Sequence, residues 1–261
     1  MDYISINKTS WNKRVGVHLD SEMYDVPAFL NGKSSLKQIE LDLLGNIEGK
    51  SLLHLQCHFG QDTLSLERLG ANCTGLDFSD EAIKTAEEHR DTLGLNTKFV
   101  CTDVYNTRNE ISDQFDIVYT SYGTIGWLPD LDKWAKVIYD SLKPGGRFVF
   151  AEFHPIMWMY DDDFDKVTYN YDGGEPLIED IEGTYAGESE DKFATVFWNH
   201  GMSTVVNALL KAGLELKDFK EYNYSPYNCV AHMEKIGEDK YHITKFGDKV
   251  PLVYSLVLTK Q

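Results

Sequence analysis

Apolar residues recur in two rhythms along this chain, and the alternation between them predicts its elements. Residues 34–46 (SSLKQIELDLLGN) carry Leu36, Ile39, Leu43 and Leu44 at helical spacing, with Ser34 or Ser35 placed to cap the helix. From residue 51 onward short apolar runs alternate with helical patterns. SLLHLQC (51–57) reads as a buried strand, QDTLSLERLG (61–70) as a helix closed by Gly70, and NCTGLD (72–77) as a second strand. Ser79 caps a helix over 80–93, with Asp80 and Glu81 in its first turn, where the helix dipole favours acids. TKFVCTD (97–103) and FDIVYTS (115–121) are strands. A helix over 131–142 and the turn KPGG (143–146) lead into a fifth strand, RFVFAEF (147–153). Later, 202–213 reads as a helix, 214–222 as a strand and 251–260 as a final alternating strand.

Five apolar strands separated by helices predict an α/β fold with a parallel, doubly wound sheet, its right-handed crossovers placing helices on both faces. The rhythm divides the chain. Residues 1–48 form an N-terminal helical cap segment, 49–154 and 201–261 form the core, and 155–200 is an insertion. The insertion is rich in Asp, Tyr, Trp and Gly and shows no clean period. It follows the carboxyl end of a strand, where open α/β sheets bind ligands, so it is expected to cover the active site.

Composition narrows the partners. Lys and Arg total 25 against 42 Asp and Glu in 261 residues, a formal net charge of −17. Such a surface repels a phosphate backbone, which argues against nucleic acid and for a small-molecule substrate. Cys57, Cys73, Cys101 and Cys229 form no CxxC pair, so they read as reduced thiols of a cytoplasmic protein. The start MDYISINKTSW has no secretory pattern, and no run of 18 apolar residues predicts a membrane span. No His/Cys/Asp spacing demands a metal, and the acidic run Asp161–Asp163 reads as a solvated loop. Nothing in the sequence sets the oligomeric state.

The chemistry concentrates at strand ends. HLQCHFGQD (54–62) joins the first strand to its helix, where backbone N–H groups can approach a nucleotide-like ligand. Only Gly60 is a glycine there, so G-x-G-x-x-G does not match. Asp77 ends the second strand, where Rossmann-type sites place an acid to accept the ribose hydroxyls.

The string LLHLQCHFGQDTLSLERLGANCTGLDFSDEAIKTAEE resembles motifs I and II of class I S-adenosylmethionine-dependent methyltransferases. His54, Gln56, His58 and Gly60 align with the acid and three glycines of [D/E]-x-G-x-G-x-G, and the chain departs from that pattern at the first three. HLQCHFGQD also resembles a bacterial subfamily of that class, as do WNKRVGVHLDSEMYD, FDIVYTSYGTIGWLPDL and LKPGGRFVFAEFHP. The resemblance implies a Rossmann-like, seven-stranded, mostly parallel sheet with an antiparallel C-terminal strand, and S-adenosyl-L-methionine as cofactor. It implies that Gln56, Cys57, His58, Phe59 and Gly60 form the loop beneath the methionine part. Asp77 would hold the ribose, Phe78 would pack beside the adenine, Asp103 would receive the adenine amino group, and the Val104 N–H would meet the ring. Thr120 and Ser121 would lie near the methionyl group.

Beyond the cofactor, His154 follows the fifth strand at the same sheet edge and could act as general base, with Pro155 fixing the chain direction. Trp11, His18 and Tyr24 near the N-terminus, with Trp158, Trp198 and His200 around the insertion, are candidates for substrate contact or a lid. The functional expectation is a methyltransferase acting on a small-molecule acceptor; its rival is a non-catalytic S-adenosylmethionine-binding regulatory or assembly module.

Overall fold

In the computed structural model, which describes residues 2–261, the apolar runs become five strands: β1 (Ser51–Leu55), β2 (Asn72–Asp77), β3 (Lys98–Cys101), β4 (Phe115–Ser121) and β5 (Leu142–Phe153). A hairpin follows, β6 (Leu177–Thr184) and β7 (Gly187–Phe197). Then come β8 (Leu214–Tyr222), a second hairpin of β9 (Met233–Gly237) and β10 (Lys240–Ile243), and β11 (Val253–Lys260). The helices are α1 (Tyr3–Leu19), α2 (Val26–Leu30), α3 (Gln38–Leu44), α4 (Gln61–Arg68), α5 (Asp80–Leu93), α6 (Thr107–Glu110), α7 (Leu131–Ser141) and α8 (Met202–Lys211).

Seven strands make one sheet in the order β3-β2-β1-β4-β5-β11-β8. Neighbours from β3 to β5 pair in parallel, and β11 runs antiparallel to both β5 and β8. This is the Rossmann-like α/β sheet that the sequence predicts. Period-2 burial gives each strand two apolar faces. Leu53, Leu55, Val118, Phe148 and Phe150 pack against Trp134 and Ile138 of α7 and Val205 and Leu209 of α8. Leu52, Ile117, Val149 and Ala151 pack against Ile39 and Leu43 of α3 and Leu66 of α4. The order reverses at β1, so β1 and β4 diverge to their flanking helices and leave a crevice at their carboxyl ends.

Some boundaries differ from the sequence reading. The helix predicted over 34–46 starts at Gln38, capped by Lys37 with Glu40 reaching back to the Lys37 N–H, while Ser35 turns to Ser65 instead. β5 begins at Leu142 rather than Arg147, because the KPGG turn is absorbed as an irregularity in its pairing with β4. The insertion does have a period: β6 alternates partly buried Leu177, Glu179 and Ile181 edges against exposed positions, and its acidic outer face hid the alternation.

α1 lies across the carboxyl ends of the central strands. Its Asn7 side chain donates to the Val196 carbonyl at 2.8 Å and accepts from the Val196 N–H at 2.9 Å, tying it to β7. On its other flank, the Ser79 hydroxyl donates to Asn12 at 2.7 Å and Lys8 pairs with Asp80 at 2.8 Å. No helix among the described residues is long and apolar enough to cross a membrane.

Candidate functional site

The loop between β1 and α4 is built on left-handed backbone. Gln56, His58 and Gly60 have φ of 55°, 51° and 78°. Two of the three are side-chain-bearing residues in a conformation that costs about 1–2 kcal/mol each. Both find compensating contacts: the Gln56 carboxamide donates to the Thr124 carbonyl at 2.9 Å, and His58 Nε2 lies 3.3 Å from His18 Nδ1. Only Gly60 lacks room for a side chain, since a Cβ there would stand 2.7 Å from the Phe99 ring. The substituted loop therefore keeps three left-handed positions at the alternate spacing of a glycine motif.

Asp77 locks this loop to the next one. Its carboxylate accepts from the His58 N–H at 2.9 Å and from the Ser79 N–H at 2.9 Å. Burial raises its pKa to about 6, against the pull of those backbone donors. Beside it runs a narrow cleft, lined by Gln56, Phe78, Thr102, Asp103 and Val104 from the strand ends. Tyr3, Ile4 and Asn7 of α1 and Trp127 and Leu128 close the other side. Asp103 is held by the Tyr105 N–H at 2.7 Å, and burial raises its pKa. Ser121 is partly exposed at the end of β4, whereas Thr120 is buried and donates to the Leu55 carbonyl at 3.1 Å. Cys57 and Phe59 point away from the cleft: Cys57 is buried beside Gly75, its pKa pushed well up by desolvation, and Phe59 packs with Tyr24 and His89.

α1 buries a polar face over the loop. Asn7, Ser10, Arg14 and His18 are all buried on it. His18 stacks on Tyr24 at 5.2 Å, and Trp11 meets the rings of His58 and Trp127 at 5.3 Å each. Four polar atoms around this loop and α1 have no hydrogen-bond partner: Arg14 Nη2, His18 Nε2, His58 Nδ1 and Gln56 Oε1. Arg14 has no carboxylate within ion-pair distance among the described residues, and its guanidinium lies over the rings of Trp11 and Phe193. A buried, unpaired guanidinium is costly unless an anion completes it. Burial drives His18 down to about 3 and His58 well below its ordinary value, so both rings are neutral at pH 7. Sequence reading picked out Trp11, His18 and Tyr24 but missed Arg14, Asn7 and Tyr3. The signal was the helical spacing of polar residues 7, 10, 14 and 18, which an apolar template discards.

A second turn, residues 123–125, faces the loop from the end of β4. The Glu152 carboxylate beneath it accepts the N–H groups of Gly123, Thr124 and Ile125, that of its own neighbour Phe153, and the Thr124 hydroxyl. The remaining candidates lie elsewhere. The Ile156 N–H donates to His154 Nδ1 at 3.2 Å, so the proton sits on Nε2, which donates to Glu221 at 3.0 Å. Both ring nitrogens of His154 are thus engaged, and burial lowers its pKa while Glu221 pulls it up. His154→Ala is expected to cost about 1–2 kcal/mol of stability through this lost linkage of β5 to β8, with cofactor affinity unchanged. Melting curves and calorimetry on the variant check this. Trp158 packs on Phe153 and is partly exposed, apart from the loop cluster. His200 donates from Nε2 to the Leu128 carbonyl, 2.7 Å away, and so clamps the segment that lines the cleft. No group of three or more His, Cys, Asp and Glu among the described residues is placed to hold a metal.

Comparisons with known proteins bear on the fold. Residues 53–150 match the family model described as a methyltransferase domain. A ubiquinone biosynthesis O-methyltransferase of Shewanella pealeana is 32% identical over 116 residues, 44% of this chain and 49% of that protein. This chain therefore spans about half of that relative's length. One from Pseudoalteromonas translucida is 25% identical over 211 residues, covering 77% of this chain and 85% of the relative. The solved S-adenosylmethionine-dependent methyltransferase of Mesorhizobium loti superposes with a TM-score of 0.57 at 16% identity, covering 88% of this chain and 100% of the other. The fold is that of the S-adenosylmethionine-dependent methyltransferases.

Proposed function

We propose that this chain transfers a methyl group from S-adenosyl-L-methionine to a small-molecule acceptor. The observation that carries the reading is the left-handed loop clamped by Asp77, with buried Arg14 and three further polar atoms around it left without a hydrogen-bond partner. The match over residues 53–150 supports it.

The residues present fit the cofactor. Phe78, Asp103 and Val104 would flank the adenine at the strand ends, and Asp77 would accept the ribose hydroxyls on its remaining lone pairs. Arg14 would take the methionyl carboxylate, and the Gln56–Gly60 backbone, with Ser121, would seat the rest of that end. When bound, the cofactor supplies a sulfonium-activated methyl. The protein's share is then to hold donor and acceptor in line and to exclude water. α1, with Tyr3, Trp11 and His18, and the β6–β7 hairpin, with Tyr185 and Trp198, roof that position in this reading. His154 acts as a positioning residue between β5 and β8.

Calorimetry with S-adenosylmethionine should give micromolar-range binding, roughly −8 kcal/mol. Asp77→Ala should weaken it by about 1.5–3 kcal/mol. Affinity should also depend on pH. The ionised Asp77 carboxylate is the form that accepts two hydroxyls, so binding should hold at pH 7 and weaken as pH falls through about 6. No binding up to millimolar ligand would remove the proposal. Binding without incorporation of labelled methyl into any component of a metabolite extract would leave the non-catalytic module in its place.

A further inference from the structure

Glycine would take the left-handed backbone of the β1–α4 loop without strain, yet Gln56 and His58 hold it at φ 55° and 51°. Such strain persists only where the surrounding structure holds it, and it collects at ligand sites. Each side chain therefore needs a reason to be there. His58 has one in packing: its ring lies against Trp11, His18, Tyr24 and Phe59 beneath α1. Gln56 has no such ring of neighbours. It follows the last residue of β1, and its side chain reaches the turn after β4, across the crevice where the strand order reverses. It also lines the narrow cleft, beside Phe78, Asp103 and Val104.

The Gln56 carboxamide is fixed in one orientation. A backbone carbonyl can only accept, so the group that meets the Thr124 oxygen at 2.9 Å is the NH2. That leaves Oε1 as an acceptor, buried and without a hydrogen-bond partner among the described residues. A brace between the two turns accounts for the NH2. It does not account for Oε1, because an unsatisfied buried acceptor counts against folding. An acceptor held ready at a cleft wall calls for a ligand that donates.

Resting on the cofactor reading above, we propose that the Gln56 side chain is a specificity-determining contact: its Oε1 accepts from the methionyl ammonium of the cofactor. An ammonium carries three N–H donors and no acceptor, which suits a fixed carbonyl oxygen. The adjoining carboxylate is repelled by that oxygen and is left to the Arg14 guanidinium. The two charged groups of one amino acid are then read by separate side chains on separate elements, Gln56 on the loop and Arg14 on α1. A loop with glycine at this position has no side chain to offer. The departure from the glycine pattern at Gln56 thus adds a contact, and the left-handed strain is retained for it.

The test uses the intact chain and calorimetry with three ligands. S-adenosylhomocysteine carries both charged groups, its desamino analogue lacks only the ammonium, and 5′-methylthioadenosine lacks the whole amino acid end. The parent should bind S-adenosylhomocysteine roughly tenfold or more tighter than the desamino analogue. Gln56→Gly removes the side chain at a backbone angle that glycine favours, and Gln56→Met keeps its length without the amide. In both variants that preference should shrink to about twofold or less, while the desamino analogue and 5′-methylthioadenosine bind as they do to the parent. Melting curves check that both variants fold. The proposal is overturned if a variant keeps the preference, or if all three ligands weaken together, which would make Gln56 only a brace for the 123–125 turn. It is also overturned if Gln56→Gly tightens S-adenosylhomocysteine, which would make the side chain an obstruction. A parent that binds S-adenosylhomocysteine and its desamino analogue equally would sink this contact and leave the cofactor reading standing. A parent that binds none of the three would sink both.

Discussion

Glu152→Ala should lower the unfolding free energy by about 3–4 kcal/mol, because it strips a buried acceptor from several backbone donors at once. Gly123, Thr124 and Ile125 present their N–H groups to this one carboxylate, and Glu152 is only 2% exposed. Desolvation raises its pKa, yet those donors favour the ionised form. Removing it leaves the donors without a partner in a site closed to bulk water, and each unsatisfied group costs about 1–3 kcal/mol. Glu152→Gln should cost less but still more than about 1 kcal/mol, since its amide NH2 would face donors rather than accept from them. The effect should reach the cleft, because Thr124 receives the Gln56 carboxamide and Trp127 and Leu128 line the wall. Urea unfolding should show the alanine variant's midpoint well below that of the parent, and its melting temperature should fall by roughly 10 °C. A loss under 1 kcal/mol would mean that the 123–125 turn is held by something other than this carboxylate.

The sheet was readable because its signal is local. β1, β2 and β4 are short apolar runs between helices with ordinary caps, and Ser79 donates and accepts where a cap residue should. Asp77 was readable for the same reason: a strand-end acid has few places to go. Glu152 was not legible as a structural acid, because the face it takes carries the turn at 123–125, which period-2 alternation cannot reveal. The loop's conformation was unreadable in a different way. Left-handed backbone is signalled by glycine, and here Gln56 and His58 take it because Thr124 and His18, distant in sequence, compensate the cost. The β9–β10 hairpin went unread because its strands are short and exposed. The burial of Glu40 went unread because it looks like a surface residue of an amphipathic helix, and only the packing of α3 against the sheet and the Tyr122 hydroxyl encloses it.

Arg14→Met should separate ligand-free stability from cofactor affinity with opposite signs. The substitution keeps a long apolar stem over Trp11 and Phe193 and removes a buried charge that has no counter-ion. Burial lowers the Arg14 pKa, which expresses the same penalty on the charged form. The ligand-free variant should therefore be no less stable than the parent, since exchanging an unpaired buried ion for a packed apolar group is neutral or favourable. S-adenosylhomocysteine affinity should fall about 10²-fold, near 2.7 kcal/mol, through loss of a buried charge-assisted contact to the methionyl carboxylate. A ligand without that carboxylate isolates the cause. 5′-Methylthioadenosine keeps the adenosine and lacks the amino acid end, so its affinity should be the same for variant and parent. Equal losses for the two ligands would mean that Arg14 supports the α1 roof as a whole. An unchanged S-adenosylhomocysteine affinity would mean that the orphaned guanidinium serves some other anion.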